Sequence, residues 1–77
     1  MSYYVEHPAV TLRRNVIKLM DEYKRQTGYG SRRLAERAGL TRTALLDFRN
    51  GKRTPNYDSI WKLATAMEIP VEWFFRR

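Results

Sequence analysis

Apolar residues return along this chain at intervals of three and four, the spacing that lines one face of an α-helix. From Ala9 onward, Leu12, Val16, Leu19, Met20 and Tyr23 share a stripe, and Arg13, Arg14, Lys18, Asp21 and Glu22 fall between them. This pattern predicts an amphipathic first helix that ends near Thr27 and Gly28, with Pro8 just inside or before its start. Gly28, Tyr29 and Gly30 make a short link in which Tyr29 is the residue able to anchor to the core. A second, short helix is expected over about Ser31 to Ala38. Its apolar stripe is Leu34, Ala35 and Ala38, and Gly39 supplies a left-handed end. Leu40 packs behind that turn.

Thr41 is placed to cap a third helix running from Thr41 or Arg42 to Arg49, with Leu45 and Phe48 inward and Asn50-Gly51 as its stop. After the loop Lys52 to Pro55, Tyr57, Ile60, Leu63, Ala64 and Met67 mark a fourth helix from Asn56 or Tyr57 to Glu68, with Asn56 as cap. Pro70 ends it, and Val71, Trp73, Phe74 and Phe75 predict a short fifth helix or turn. The expectation is an all-α fold of one domain over residues 9–77, preceded by a flexible arm over residues 1–8. A chain of 77 residues holds a single modest core.

Charge adds to this picture once it is located. The net charge is +7. From Lys24 to Arg53 there are nine basic residues (Lys24, Arg25, Arg32, Arg33, Arg37, Arg42, Arg49, Lys52, Arg53) against Glu36 and Asp47, and the rest of the chain balances to zero. The whole excess lies between Lys24 and Arg53, on the end of the first helix, the two central helices and the loop after them, which points to a polyanionic partner.

The residues from Tyr29 to Phe74 resemble the Cro and phage-repressor class of helix-turn-helix domains, the lambda-repressor-like or XRE-type family. The resemblance rests on Leu34-Ala35, Gly39-Leu40, Thr41-Arg42-Thr43, Leu45, Phe48 and Asn50-Gly51-Lys52-Arg53. Pro55 and the run Ile60, Lys62, Leu63, Ala64, Ala66, Met67, Ile69 and Val71 extend it. It implies a compact five-helix domain whose second and third helices bind double-stranded DNA, and a transcriptional regulator, most often a repressor.

Carried over residue by residue, it places Arg42, Thr43 and Leu46 at base-facing positions. Guanidinium donors suit guanine O6 and N7, a threonine suits base edges or phosphate, and Leu46 either meets a thymine methyl or packs in the core. Ser31, Arg32, Arg33, Thr41, Arg49, Lys52 and Arg53 are the expected phosphate contacts. Two positions depart from the family. Ser31 stands where many members have a glutamine, and is expected to cap the second helix instead. Glu68 replaces a helix-ending glycine, so a different ending is expected there. The longer link before Ser31 could bring Lys24 and Arg25 near the DNA backbone.

Other chemistry finds little support. There is no cysteine and a single histidine, His7, so neither a disulfide framework nor a zinc finger can form. Asp21 and Glu22 are adjacent on a helix and point apart, and Gly28-Tyr29-Gly30 lacks the strand and lysine of a phosphate loop. No enzyme, cofactor, metal or small-molecule substrate is expected. With no membrane-length apolar run and no signal-peptide order at the N-terminus, a soluble, cytoplasmic, nucleoid-associated protein is expected.

In the tail, Val71 and Phe74 can close the core while Trp73 and Phe75 face outward, an arrangement that suits a homodimer pairing two DNA half-sites. Two alternatives remain open. One is a protein-interaction module of the same fold, antitoxin-like or a co-regulator. The other is binding of RNA or an anionic membrane surface through the basic segment alone.

Overall fold

The computed structural model describes residues 7–77, so most of the expected N-terminal arm lies outside the described residues. Four α-helices follow one another, α1 (Pro8–Thr27), α2 (Ser31–Ala38), α3 (Arg42–Asn50) and α4 (Tyr57–Met67), and a 3-10 helix (Val71–Phe75) closes the chain. The described residues contain no strand.

Local chemistry accounts for where these helices begin. Pro8 opens α1 at a position whose N–H would have no helical partner, and the His7 Nδ1 accepts a hydrogen bond from the Ala9 N–H at 3.0 Å. In α3 the Thr41 hydroxyl accepts from the Ala44 N–H at 3.0 Å, and in α4 the Asn56 side chain accepts from the Ser59 N–H at 2.8 Å. The expected cap at Ser31 is not present. Gly30 occupies the cap position with no side chain to offer, and Ser31 is the first helical residue of α2. That helix of 8 residues is therefore held mainly by packing.

The ends follow one rule with one exception. Gly28, Gly39 and Gly51 close α1, α2 and α3 at φ 79, 73 and 75°, in the left-handed region where glycine has no steric penalty. Glu68 closes α4 at φ 59°, the one positive φ among the described non-glycine residues. Its N–H donates to the Thr65 carbonyl and that of Ile69 to the Ala64 carbonyl. The ending expected to differ here keeps the left-handed geometry of the others, and Glu68 adopts it at a cost of about 1 kcal/mol.

The core is drawn from every element. Val16, Leu34, Leu45, Phe48, Ile60, Leu63 and Phe74 are essentially fully buried, and Ala35, Ala38, Ala44 and Ala64 allow close approach between helices. Ala44 belongs to the inward face of α3 together with Leu45 and Phe48. Tyr57, expected on the inner stripe of α4, is 67% exposed. It is the first residue of the helix and lies outside the packed turns. Leu40 is half-buried against the core, as its place behind the turn requires. The 3-10 helix sits against α1 and α4. Buried Asn15 fastens it there by donating to the Phe74 carbonyl at 2.8 Å and the Arg76 carbonyl at 2.6 Å. These bonds satisfy a side chain whose burial would otherwise be costly.

Candidate nucleic-acid interface

The α2–turn–α3 unit owes its shape to Gly39 and the residues that bracket it. The Gly39 N–H reaches the Glu36 carbonyl and the Leu40 N–H the Ala35 carbonyl at 2.9 Å, so the chain reverses within three residues. A Cβ at Gly39 would meet nothing within 4 Å, so glycine is required there by dihedral angle rather than by space. Thr41 then starts α3. Leu45 and Phe48 anchor it inward, which leaves Arg42 and Thr43 exposed on its first turn.

The remaining site residues fall into separate groups. Ser31, Leu46 and Arg49 line one shallow depression of about 220 Å³ together with Lys24, Asp21 and Tyr29. Leu46 is half-buried at its wall, between the core and the outward face. Lys24 lies in this depression, whereas Arg25 pairs with Glu22 at 2.9 Å. Arg42, Thr43, Arg32, Arg33, Lys52 and Arg53 lie outside the depression, and all are exposed. The Arg32 guanidinium is 3.9 Å from the Glu36 carboxylate, and the Arg53 guanidinium lies 5.5 Å from the centre of the Phe48 ring.

Arg49 is held more firmly than its place in a basic segment suggests. Its guanidinium pairs with Asp21 of α1 at 2.8 Å, and its carbonyl accepts from the Arg13 Nε at 3.0 Å. Arg13 also lies where a side chain at Gly51 would be, with its guanidinium 3.2 Å from an added Cβ. Two residues of α1 therefore grip the C-terminal end of α3, and the Arg13 cation faces the negative pole of that helix. Periodicity marks Arg13 and Asp21 only as polar positions, and their partners lie 36 and 28 residues away.

Tyr29 has a place other than the core anchor that its position in the link predicts. Rather than entering the core, it is half-buried and tilted against Tyr23 with ring centres 6.1 Å apart. The guanidinium of Arg33 lies 5.1 Å and that of Arg37 5.6 Å from its ring centre. These cation–π contacts orient two α2 cations and leave their N–H edges available. The pairing of a tyrosine in the link with arginines four and eight residues later is the sequence signal for this cluster.

Among the described residues no group of histidine, cysteine or acidic side chains could hold a metal ion, and no helix is long and apolar enough to cross a membrane. None of the curated proteins compared matches the chain. The helix-turn-helix family model HTH_3 matches residues 17–74, which take in the C-terminal half of α1, both helices of the unit, α4 and all but the last residue of the terminal 3-10 helix. That family is one of DNA-binding regulators and is typically non-enzymatic. An all-helical core, a glycine turn between two short helices and a family match over most of the length agree, and the chain belongs to the XRE/lambda-repressor-like helix-turn-helix family.

Proposed function

We propose that this protein is a sequence-specific regulator of transcription, a repressor that reads the major groove of duplex DNA with α3 and occludes a promoter. The observation that carries the reading is the first turn of α3. Arg42 and Thr43 project from a capped helix into solvent, on a segment that holds the whole net charge of the chain. Arg42 and Thr43 are the base readers, and Leu46 adds an apolar contact to a thymine methyl from the edge of its depression. Ser31, Arg32, Arg33, Thr41, Lys52 and Arg53 meet phosphate and set register, as does Arg49 from its paired position beside Asp21.

A single helix of 9 residues reads few base pairs, so two copies on half-sites about 34 Å apart would restore specificity. The tail supplies the contact through Phe75 (50% exposed), while Trp73, half-buried under the Arg76 guanidinium, faces a separate groove.

Selection of bound duplexes from a random pool tests the reading. A motif with two-fold symmetry is expected, and binding should weaken steeply with salt. Arg53→Ala should weaken all sequences alike and reduce the salt slope by about one unit. No duplex binding even at low salt would overturn the proposal and favour a protein-interaction module of the same fold. The exposed Phe75, Tyr57 and Trp61 give that second reading its support.

A further inference from the structure

One cavity among the described residues lies away from α3. It is a groove of about 500 Å³ between α1 and the terminal 3-10 helix. Its apolar wall is Leu19, Tyr23, Met67, Ile69 and Trp73. Around it stand the cations Arg14, Lys18, Arg76 and Arg77, and one carboxylate, Glu22, which Arg25 already neutralises at 2.9 Å. Trp73 is not loose in this wall, because the Arg76 guanidinium covers its ring at 4.8 Å. The groove follows α1 from Arg14 to Gln26, a rise of about 18 Å at 1.5 Å per residue. That length suits a three-turn helix or a short extended segment better than a compact metabolite.

The groove and the DNA-reading unit use different faces of α1. Arg13, Asp21 and Lys24 point to α3 and the depression beside it, whereas Lys18, Glu22 and Gln26, at four-residue spacing, point to the groove. At 100° per residue the two sets centre roughly 150° apart, with Arg14 and Asp21 at their common border. An occupant of the groove would leave Arg42 and Thr43 uncovered.

We propose that this groove docks an acidic, amphipathic segment of a partner protein, with apolar anchors on Leu19, Met67 and Trp73 and carboxylates on Lys18 and Arg76. Charge complementarity decides the occupant. A second copy would bring its own Arg76 and Arg77 toward a rim of the same sign, and like charges at an interface are strongly disfavoured. Phe75, the exposed anchor of the tail, does not line the groove. The docked segment thereby gives a partner a hold on the protein while it is on DNA, although the binding itself does not depend on the DNA reading being correct.

The test is selection of a random 14-residue peptide library on the full chain, followed by amide and indole chemical-shift mapping of the enriched peptides. The expected result is enrichment of sequences carrying two or more apolar anchors and several Asp or Glu, with shifts at Leu19, Met67, Ile69 and the Trp73 indole. Binding should persist when a duplex is present. The double variant Lys18→Glu, Arg76→Glu should bind these peptides about tenfold more weakly or worse while keeping its helical circular dichroism and its duplex affinity. Both positions are exposed, so the fold is not challenged.

The proposal is overturned if no peptide is enriched or if the enriched peptides are basic. It is also overturned if their shifts map to Arg42 and Thr43 and duplex displaces them, as for an acidic DNA mimic, or if groove resonances move with protein concentration alone, which would assign the groove to a second copy.

Discussion

The two ends of α3 are built for different purposes. At its N-terminal end one hydroxyl, Thr41, caps the helix, and Arg42 and Thr43 stand exposed, with no ion pair or hydrogen bond from their side chains among the described residues. At its C-terminal end Arg49 is paired with Asp21, its carbonyl is bonded to Arg13, and Gly51 turns the chain under the Arg13 guanidinium. A helix left free at both ends would read imprecisely, and one tied at both ends would have nothing to offer a ligand. Holding the far end while leaving the near end open places rigid backbone beneath adaptable side chains.

Substitutions can break or sharpen this contrast. The largest effect is expected from Ala35→Leu, which removes the seat of α2 and disturbs both ends at once. Ala35 is 2% exposed, and three extra carbons there should cost about 3 kcal/mol, measured by urea or thermal unfolding. An equally stable, active variant would show that the helices do not need their close approach.

Arg42→Ala acts at the open end alone. It should leave stability unchanged and cost about 1 to 3 kcal/mol of discrimination at particular base pairs, read by competition between duplexes. Uniform weakening of every sequence would remove Arg42 from base reading. Thr41→Ala leaves an N–H of α3 unpaired and should lower stability by about 1 kcal/mol in thermal unfolding. Asp21→Asn has the smallest expected effect, because its pair with Arg49 is partly exposed. The loss should be below about 1 kcal/mol, with a mild and sequence-independent fall in duplex affinity.

Much of the helical layout was legible in advance because its punctuation is local. Pro8, Gly28, Gly39, Thr41, Gly51 and Asn56 each act on the few residues beside them, and the helix limits follow within a residue or so. The structure departs from the pattern where one residue can serve two purposes. Ser31 has the chemistry of a cap, but Gly30 takes the extended backbone of that position at φ −86° and moves Ser31 into the helix. Tyr57 falls on the apolar stripe of α4 by count, yet the first turn projects beyond the core.

For the interface, the exposure of Arg42 and Thr43 follows from the inward assignment of Leu45 and Phe48. The grip of α1 on Arg49 could not be read in this way. Helical period tells which face a residue occupies and is silent about which distant helix that face will meet. Tyr29 lies between these cases, since its arginine partners are close in sequence but an aromatic residue in a link reads as a core anchor.

Glu68 carries a consequence for how such a protein can change. Its left-handed backbone is strained, and it lies at the end of α4, outside α2 and α3. Glu68→Gly should therefore relieve about 1 kcal/mol of strain, seen as a higher unfolding midpoint, while duplex affinity stays the same. That amount exceeds the roughly 0.5 kcal/mol within which substitutions at exposed positions such as Arg42 and Thr43 usually fall. The strained residue is thus a reserve of tolerance held apart from α2 and α3. Releasing it would let the exposed face of α3 be rewritten without the domain falling below the stability it needs to fold.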